Sequence, residues 1–382
     1  VNKLFQNAFG HSEDLAQMMV NTTVEAATLA GVPANKVLKD MAESSEEVYT
    51  FFKGSPQTLQ KAAIQAAKLG TSIKQAAGVS KGLLDFESSI NNELAATPAV
   101  AHRGCASHDV LESQLRNDPN LAARMAQFEI EAENYIQQGK IVNGVLEIPV
   151  VFNVLYRTTA ENISQAQLQT QIDVLNKDFA GTNTDYNSSN PYNSVRGALN
   201  VRFVLDAVYR KSTTKTSWGT TDAMKKSTQG GINPTSPTTK LNYWVCTIGG
   251  GILGYAQFPG GASATDGVAI DSKYTGTNGT AVYPFNLGRT ATHEVGHWMN
   301  LRHIWGDATC GNDLVSDTPS HNTSNYGVPA VGHRSTCSGQ PLEMYMNYMD
   351  YTDDRGMYMF SRGQVSRMAA IFGSNGSRRS FR

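Results

Sequence analysis

The 382-residue chain has few charged residues and few cysteines, and both shortages exclude some classes of partner and of fold. Charged residues are 17% of the sequence and the formal net charge is −1, so no excess of basic residues indicates a nucleic-acid or membrane-surface partner. No apolar run approaches the length that spans a bilayer. Four cysteines are too few for a disulfide scaffold, and Cys246, at the end of an apolar run, is expected to be a buried thiol.

The start of the sequence lacks the apolar core of an export signal, so we expect that any such signal has been removed or lies outside this sequence. Low charge together with many Thr, Ser, Asn and Gly residues is nevertheless typical of a secreted enzyme.

The length exceeds the usual size of a single hydrophobic core, so two domains are expected. Residues 1–101 have apolar side chains at helical spacing between Gly and Pro residues, which predicts an all-helical N-terminal domain. Its last helix is expected near residues 83–94. Residues 102–107 are predicted to form a linker, and residues 108–382 a second domain.

The second domain mixes strand and helix patterns, which predicts an α+β fold. Nearly continuous or alternating apolar runs predict strands at 148–156, 199–209, 241–246 and 268–270. Helices are predicted at about 108–115, 118–138, 164–179 and 361–372.

The strongest chemical signal is a group of three histidines with one glutamate. His293 and His297 are four residues apart, so on a helix they project from the same face. Glu294 points to the side of that face, toward an unfilled coordination position. His303 can join the pair only if the chain turns sharply, and Asn300 tolerates the left-handed conformation that such a turn needs.

Three neutral imidazoles leave zinc one open position, which is the catalytic arrangement. Zinc would polarise a scissile carbonyl and acidify a water molecule, and Glu294 would accept the proton of that water. The alternative is a helix whose histidines are ordinary surface or core residues. The third histidine at this offset argues against that alternative.

The run HEVGHWMNLRH resembles the long zinc signature of the metzincin metallopeptidases, HExxHxxGxxH, with Asn300 in place of the glycine. The longer run HEVGHWMNLRHIWGD is similar to the sequences of the bacterial branch of the pappalysin family. The resemblance covers about residues 105–372. It implies a metzincin fold, with a mixed twisted sheet, backing helices, an active-site helix and a loop-rich C-terminal subdomain. It also implies a secreted zinc endopeptidase whose partners are peptides or proteins.

Downstream residues match further parts of that family. Met349 matches the methionine that lies beneath the zinc, and Tyr351 matches the tyrosine that stabilises the oxyanion. In isolation this pair would indicate core packing. Asp353 and Asp354 follow closely enough to place a carboxylate in the pocket for the residue after the scissile bond. The resulting hypothesis is a preference for Arg or Lys at that position, as in bacterial relatives.

A short strand after a glycine run fits a sheet edge, because Pro259 ends it. In metzincins an edge strand above the zinc pairs antiparallel with the substrate, so this strand is predicted to bind substrate backbone. An ordinary hairpin is the alternative. The predicted substrate-binding residues are Leu253, Gly254, Tyr255 and Ala256.

The loop after the third histidine carries two further signals. Cys310 and Cys337 flank it and could pair. Asp313, Asp317 and Thr318 offer the hard oxygen ligands that calcium prefers, and pappalysin relatives hold calcium in the corresponding loop. Acidic residues that cap turns are the alternative.

Cys105 lies between small residues just upstream of the zinc domain. Its thiolate could occupy the open zinc position, and pro-forms of pappalysin relatives are silenced in this way. The resemblance therefore implies a zymogen inhibited by its own N-terminal part. The alternatives are a free thiol in a linker, or a partner-binding or targeting N-terminal module beside a non-catalytic zinc domain. The intact Glu294 argues against the last, because a structural site has no use for it.

Overall fold

The computed structural model describes residues 13–43, 56–68, 102–137 and 144–381. The chain divides into two compact units, Val1–Val100 and Ala101–Arg382. The helix predicted near residues 83–94 lies outside the described residues.

The first unit contains three described helices. They are α1 (Glu13–Leu29), α2 (Ala34–Glu43) and α3 (Pro56–Lys68). The three helices pack on one another through small and aliphatic side chains, among them Ala27, Val37, Met41, Ala63 and Ala66. The prediction of helices in this part of the chain is confirmed.

The second unit is built on a five-stranded sheet with the order β2-β1-β3-β5-β4. The strands are β1 (Leu146–Tyr156), β2 (Val201–Ser212), β3 (Leu241–Cys246), β4 (Gly254–Ala256) and β5 (Val268–Asp271). All neighbouring pairs are parallel except β4 with β5, which is antiparallel. The short strand β4 is thus the edge that the sequence predicts.

In the described part of the second unit, five α-helices accompany the sheet. They are α4 (Ser107–Asn117), α5 (Leu121–Gln137), α6 (Gln165–Phe179), α7 (Arg289–Trp298) and α8 (Arg362–Ala370). Ser361 caps α8 in a reciprocal capping box with Gln364. At the start of α6, Ser164 accepts from the Gln167 backbone amide, but the Gln167 side-chain amide donates to the Thr275 carbonyl, so no reciprocal capping box forms. Short 3₁₀ turns occupy 193–195, 223–225, 227–229, 263–265, 272–274, 354–356 and 379–381.

Helix α7 lies in the main core. One face of the sheet packs against α6 and α7 through side chains such as Phe152, Leu175 and Val295. The opposite face carries a second cluster with Trp244 and Tyr255, against which α4 packs. Every residue of α7 is buried, so the polar side chains on it need hydrogen-bond or ionic partners inside the protein.

The α+β fold is confirmed, including the loop-rich part between α7 and α8. Cys310 and Cys337 form a disulfide in this part, with an S–S distance of 2.01 Å, and Cys246 is a buried thiol. No helix in the described ranges is long and apolar enough to cross a membrane.

Candidate metal centre and active site

Helix α7 is fixed at its first residue by ion pairs of the buried Arg289 side chain. The Arg289 guanidinium donates to Asp178 on α6, at 2.7 Å from Nε, and to Asp185, at 2.8 Å from Nη1. Thr292, one turn later, donates to the same Asp178 carboxylate at 2.7 Å. The helix therefore presents its histidines from a fixed position.

The chain turns at the end of α7 as the sequence predicts. Asn300 adopts a left-handed conformation with φ of 73°, and the Leu301 amide donates back to the Gly296 carbonyl at 2.9 Å. This turn brings His303 to the open side of α7.

The three imidazole rings converge. The Nε2 atom of His297 lies 3.1 Å from Nε2 of His293 and 3.1 Å from Nε2 of His303. The Cys105 sulfur joins them, and all four ligand atoms lie within 4.8 Å of one another. Burial lowers the pKa of His293 and of His297 well below the usual range, so both rings are neutral.

Each ring directs its other nitrogen at an oxygen acceptor. The acceptors are the Tyr348 carbonyl for His293 (2.7 Å), the Leu301 carbonyl for His297 (2.7 Å) and the Asp307 carboxylate for His303. In a neutral imidazole these contacts place the proton on Nδ1 and leave a lone pair on Nε2. Three lone pairs that face one another are repulsive without a cation, so the donor set fits a metal ion such as zinc.

Met349 is fully buried and packs against the helix that carries the histidines, because a Cβ atom on Gly296 would meet its sulfur at 2.5 Å. The Trp305 indole stacks on the His303 ring at 4.4 Å between centroids. Trp305 and Asp307 were not among the predicted site residues, although both stand within four positions of His303.

Residues 102–107, here called the Cys105 segment, lie along the edge strand β4. The Leu253 amide donates to the Gly104 carbonyl at 2.7 Å, and the Ala106 amide donates to the Gly254 carbonyl at 3.2 Å. The segment runs parallel to β4. Of the four residues predicted on this strand, Leu253, Gly254 and Ala256 have backbone groups that contact this segment, Ala256 through the Ser107 hydroxyl.

Tyr255 differs from the other three, because its side chain lies on the opposite face of the sheet. Its hydroxyl donates to Asp222 at 2.9 Å, and the buried Lys225 ammonium lies 2.9 Å from the same carboxylate. The side chain therefore supports β4 from behind.

Glu294 is buried next to the histidines and holds two contacts from the first residues of the second unit. Its Oε2 accepts from the Ser107 hydroxyl at 2.7 Å and from the Cys105 thiol at 3.3 Å. The Ser107 oxygen also accepts from the Ala256 amide of β4 at 2.8 Å. Burial raises the pKa of Glu294 to about 7, which suits a group that accepts and returns a proton. Ser107 was not predicted.

Tyr351 approaches the same place from the other side. Its hydroxyl donates to the Cys105 carbonyl at 3.2 Å, and its ring centroid lies 5.0 Å from that of His303. The phenol therefore points at a carbonyl oxygen above the convergent histidines.

A closed pocket beside the histidines holds the side chain of Arg103, which is 1% exposed. Its Nη2 lies 2.5 Å from Asp354 Oδ1 and 3.4 Å from the Thr352 carbonyl, and its Nη1 donates to the Thr290 hydroxyl at 3.0 Å. The guanidinium also lies 4.9 Å from the ring centroid of Phe285. The pocket thus satisfies a planar cation on several sides.

The two acids predicted for this pocket have different places. Asp354 lies at its base and also accepts the Leu287 and Arg289 amides at the start of α7, at 2.8 and 3.2 Å. Asp353 makes no hydrogen bond with Arg103 among the described contacts, and its amide donates to the Gly327 carbonyl.

The three predicted calcium ligands are divided between two places. The Thr318 hydroxyl lies 2.9 and 3.0 Å from the Asp313 carboxylate oxygens and 2.9 Å from the Val315 carbonyl. Asp317 instead accepts from the Ser361 hydroxyl at 2.6 Å and from the Gly363 amide at 2.8 Å. Asp317 therefore accepts hydrogen bonds from the start of α8, which is the turn-capping role that the sequence left as the alternative. Burial raises the pKa of Asp313 to about 6.

Comparison with known proteins gives consistent matches. The family model Peptidase M43, described as pregnancy-associated plasma protein-A, matches residues 246–373. An extracellular metalloprotease of Pyricularia oryzae is 35% identical over 56% of this chain and 69% of its own length. Extracellular metalloprotease 1 of Coccidioides posadasii is 34% identical over 59% of this chain and 77% of its own length.

Solved structures of a Tannerella forsythia enzyme also match. Mature mirolysin with a cleaved peptide is 40% identical to this chain and superposes with a TM-score of 0.61. The match covers 63% of this chain and 96% of the mirolysin chain. A promirolysin variant is 37% identical to this chain, with a TM-score of 0.67. That match covers 73% of this chain and 97% of the promirolysin chain.

Proposed function

The chain belongs to the peptidase M43, or pappalysin, family of metalloproteases, and on that premise we propose that it is a secreted zinc endopeptidase held latent by its Cys105 segment. The observation that carries the proposal is the convergence of the three histidine Nε2 atoms beside the buried Glu294. Secretion is supported by relatives that are named extracellular metalloproteases. The same relatives disfavour a non-catalytic role.

His293, His297 and His303 would hold the zinc. Zinc bound there would polarise the scissile carbonyl and lower the pKa of a coordinated water. Glu294 would accept the proton of that water and later donate it to the leaving amine. Tyr351 would donate its phenolic proton in a hydrogen bond to the developing oxyanion, where it now contacts the Cys105 carbonyl.

Latency would rest on contacts of two side chains. The Cys105 sulfur lies where it can complete the coordination of the zinc, and a bound cation favours the thiolate. Ser107 binds the carboxylate of Glu294 and an amide of β4. The segment runs parallel to β4, whereas the family's substrates pair with this strand antiparallel. Its backbone therefore crosses the active site in the opposite direction to a substrate and is not positioned for cleavage.

We further propose that the inhibitory part includes helices α4 and α5, so that the catalytic domain begins after residue 137 and not at residue 108. The promirolysin match covers about a tenth more of this chain than the mature match, which is close to the length of residues 102–137. Helix α5 is held to α8 by Glu129, whose two oxygens each lie 2.6 Å from the Arg367 guanidinium.

Substrate preference provides the first test. Because Arg103 satisfies the pocket around Asp354 with charge-assisted hydrogen bonds, peptides with arginine after the scissile bond should be cleaved about tenfold to a hundredfold faster than those with leucine. Lysine should rank between them, since a single ammonium cannot match the fork of acceptors. A peptide library with the Cys105→Ala chain measures the preference.

A single substitution tests the pocket assignment. Thr290→Val removes the acceptor for one guanidinium nitrogen and keeps the shape of the side chain, so it should reduce the preference for arginine over lysine. A library result that favours only apolar residues after the cleaved bond would refute the assignment.

Calcium binding is the second prediction. We propose that Asp313, Thr318 and the Val315 carbonyl hold a calcium ion, because their oxygens converge in a loop closed by the disulfide. At a calcium concentration about a hundred times the Kd, the melting temperature at pH 8 should rise by about 5 °C. Differential scanning calorimetry at constant zinc measures this shift.

The pH dependence of the calcium effect follows from the raised pKa of Asp313. Its folded pKa of about 6 exceeds the usual value, so ionising Asp313 costs stability as the pH rises through that range. Calcium offsets this cost above pH 6, and protons compete with calcium below it, so the shift should shrink at pH 5. Asp313→Asn should abolish the shift. An equal shift in that variant would contradict the site.

A further inference from the structure

Tyr326 is an exposed aromatic residue that contacts the Cys105 segment. Its side chain is 46% exposed, and its ring lies 4.6 Å from the His102 ring in an edge-to-face arrangement. Its other aromatic neighbour is Tyr351, at 6.0 Å between centroids. Exposed aromatic rings beside a cleft supply area for contact with a ligand.

The loop that carries Tyr326 is anchored on both sides. The Asn325 amide donates to the Asp350 carboxylate at 2.7 Å, and the Gly327 carbonyl accepts from the Asp353 amide at 2.8 Å. Both anchors belong to the stretch that includes Tyr351. The ring of Tyr326 therefore has a fixed position relative to the centre.

The direction of the Cys105 segment relates His102 to a substrate position. Because the segment runs parallel to β4 and a substrate would run antiparallel, residues that precede Cys105 lie on the side of the residues that follow a scissile bond. Arg103 fills the first pocket on that side. His102, the next residue outward, therefore lies where the second residue after the scissile bond would lie.

We infer that Tyr326 forms a subsite for the second residue after the scissile bond and that this subsite favours an aromatic or imidazole side chain. The inference rests on the proposed function. The substrate class is thus a peptide in which arginine is followed by Phe, Tyr, Trp or His. The edge-to-face contact with His102 is the arrangement that such a side chain would reproduce.

The test uses the full chain with Cys105→Ala and peptides that are identical except at the position after the arginine. The kcat/KM for phenylalanine should exceed that for glycine by about threefold to tenfold, the range expected of one aromatic pair. Tyr326→Ala should remove this ratio by lowering kcat/KM for the phenylalanine peptide to about that for the glycine peptide. Val331→Ala, which changes a 90% exposed residue of the same loop, is the matched control and should keep the ratio.

The possible outcomes distinguish a failure of the Tyr326 subsite from a failure of the proposed peptidase function. Cleavage before arginine at equal rates for phenylalanine and glycine would overturn the subsite and leave the proposed function intact. A Tyr326→Ala chain that loses activity equally on both peptides would also overturn it, because the residue would then act through Tyr351. Cleavage of none of the peptides would refute the proposed function and the subsite with it.

Discussion

Glu294→Ala should lower peptidase activity by about a hundredfold to ten-thousandfold while the chain keeps its zinc. The expected loss is that of a general acid–base group. The zinc should stay, because the described hydrogen bonds of the Glu294 carboxylate go to Ser107 and Cys105 and not to the three histidines. Activity is measured in the Cys105→Ala background by kcat/KM, and metal content by elemental analysis of the same material.

His297→Ala is the paired variant, because His297 lies between the other two rings and its loss opens the centre. It should lose both zinc and activity. A Glu294→Ala chain with near-parental activity, or one that loses zinc to the same extent as His297→Ala, would contradict the role given to the carboxylate.

Latency should depend on Ser107 as well as on Cys105. The wild-type full chain should be nearly inactive, and Cys105→Ala should release part of the activity. Adding Ser107→Ala should raise activity by about a further tenfold or more, because the hydroxyl makes one hydrogen bond to a buried carboxylate and accepts another from β4. The measurement is kcat/KM of the intact single and double variants.

Ser113→Ala is the matched control for this series. Ser113 lies on the same helix α4 and is exposed, so its replacement should leave activity unchanged. Alanine is a good helix former at both positions, so folding should not confuse the comparison. Equal activity of the Cys105→Ala chain with and without Ser107→Ala would refute a contribution of the serine to latency.

The centre could be predicted from sequence because its residues are close together in the chain. The spacing of His293, Glu294 and His297 fixes their common helix, and Asn300 permits the turn that returns His303. The strands β1, β3 and β5 could be predicted for a similar reason: each is a short apolar run, and parallel strands are buried on both faces.

Apart from the approach of Cys105 to the histidines, the contacts of the Cys105 segment could not be predicted, because they join residues far apart in the chain. Nothing in the sequence around Arg103 indicates that its guanidinium meets Asp354, or around Ser107 that its hydroxyl meets Glu294. The loop proposed to bind calcium shows that residues close together in the chain can also be misassigned. Asp317 is close in sequence to Asp313, yet its carboxylate contacts the start of α8.

The metal content of active material tests the central claim most directly. Elemental analysis of the active Cys105→Ala chain should find a single zinc ion per chain. A chelator should remove the ion and the activity together, and added zinc should restore both. Fully active material without a transition metal would contradict the account of three imidazoles that hold the catalytic ion.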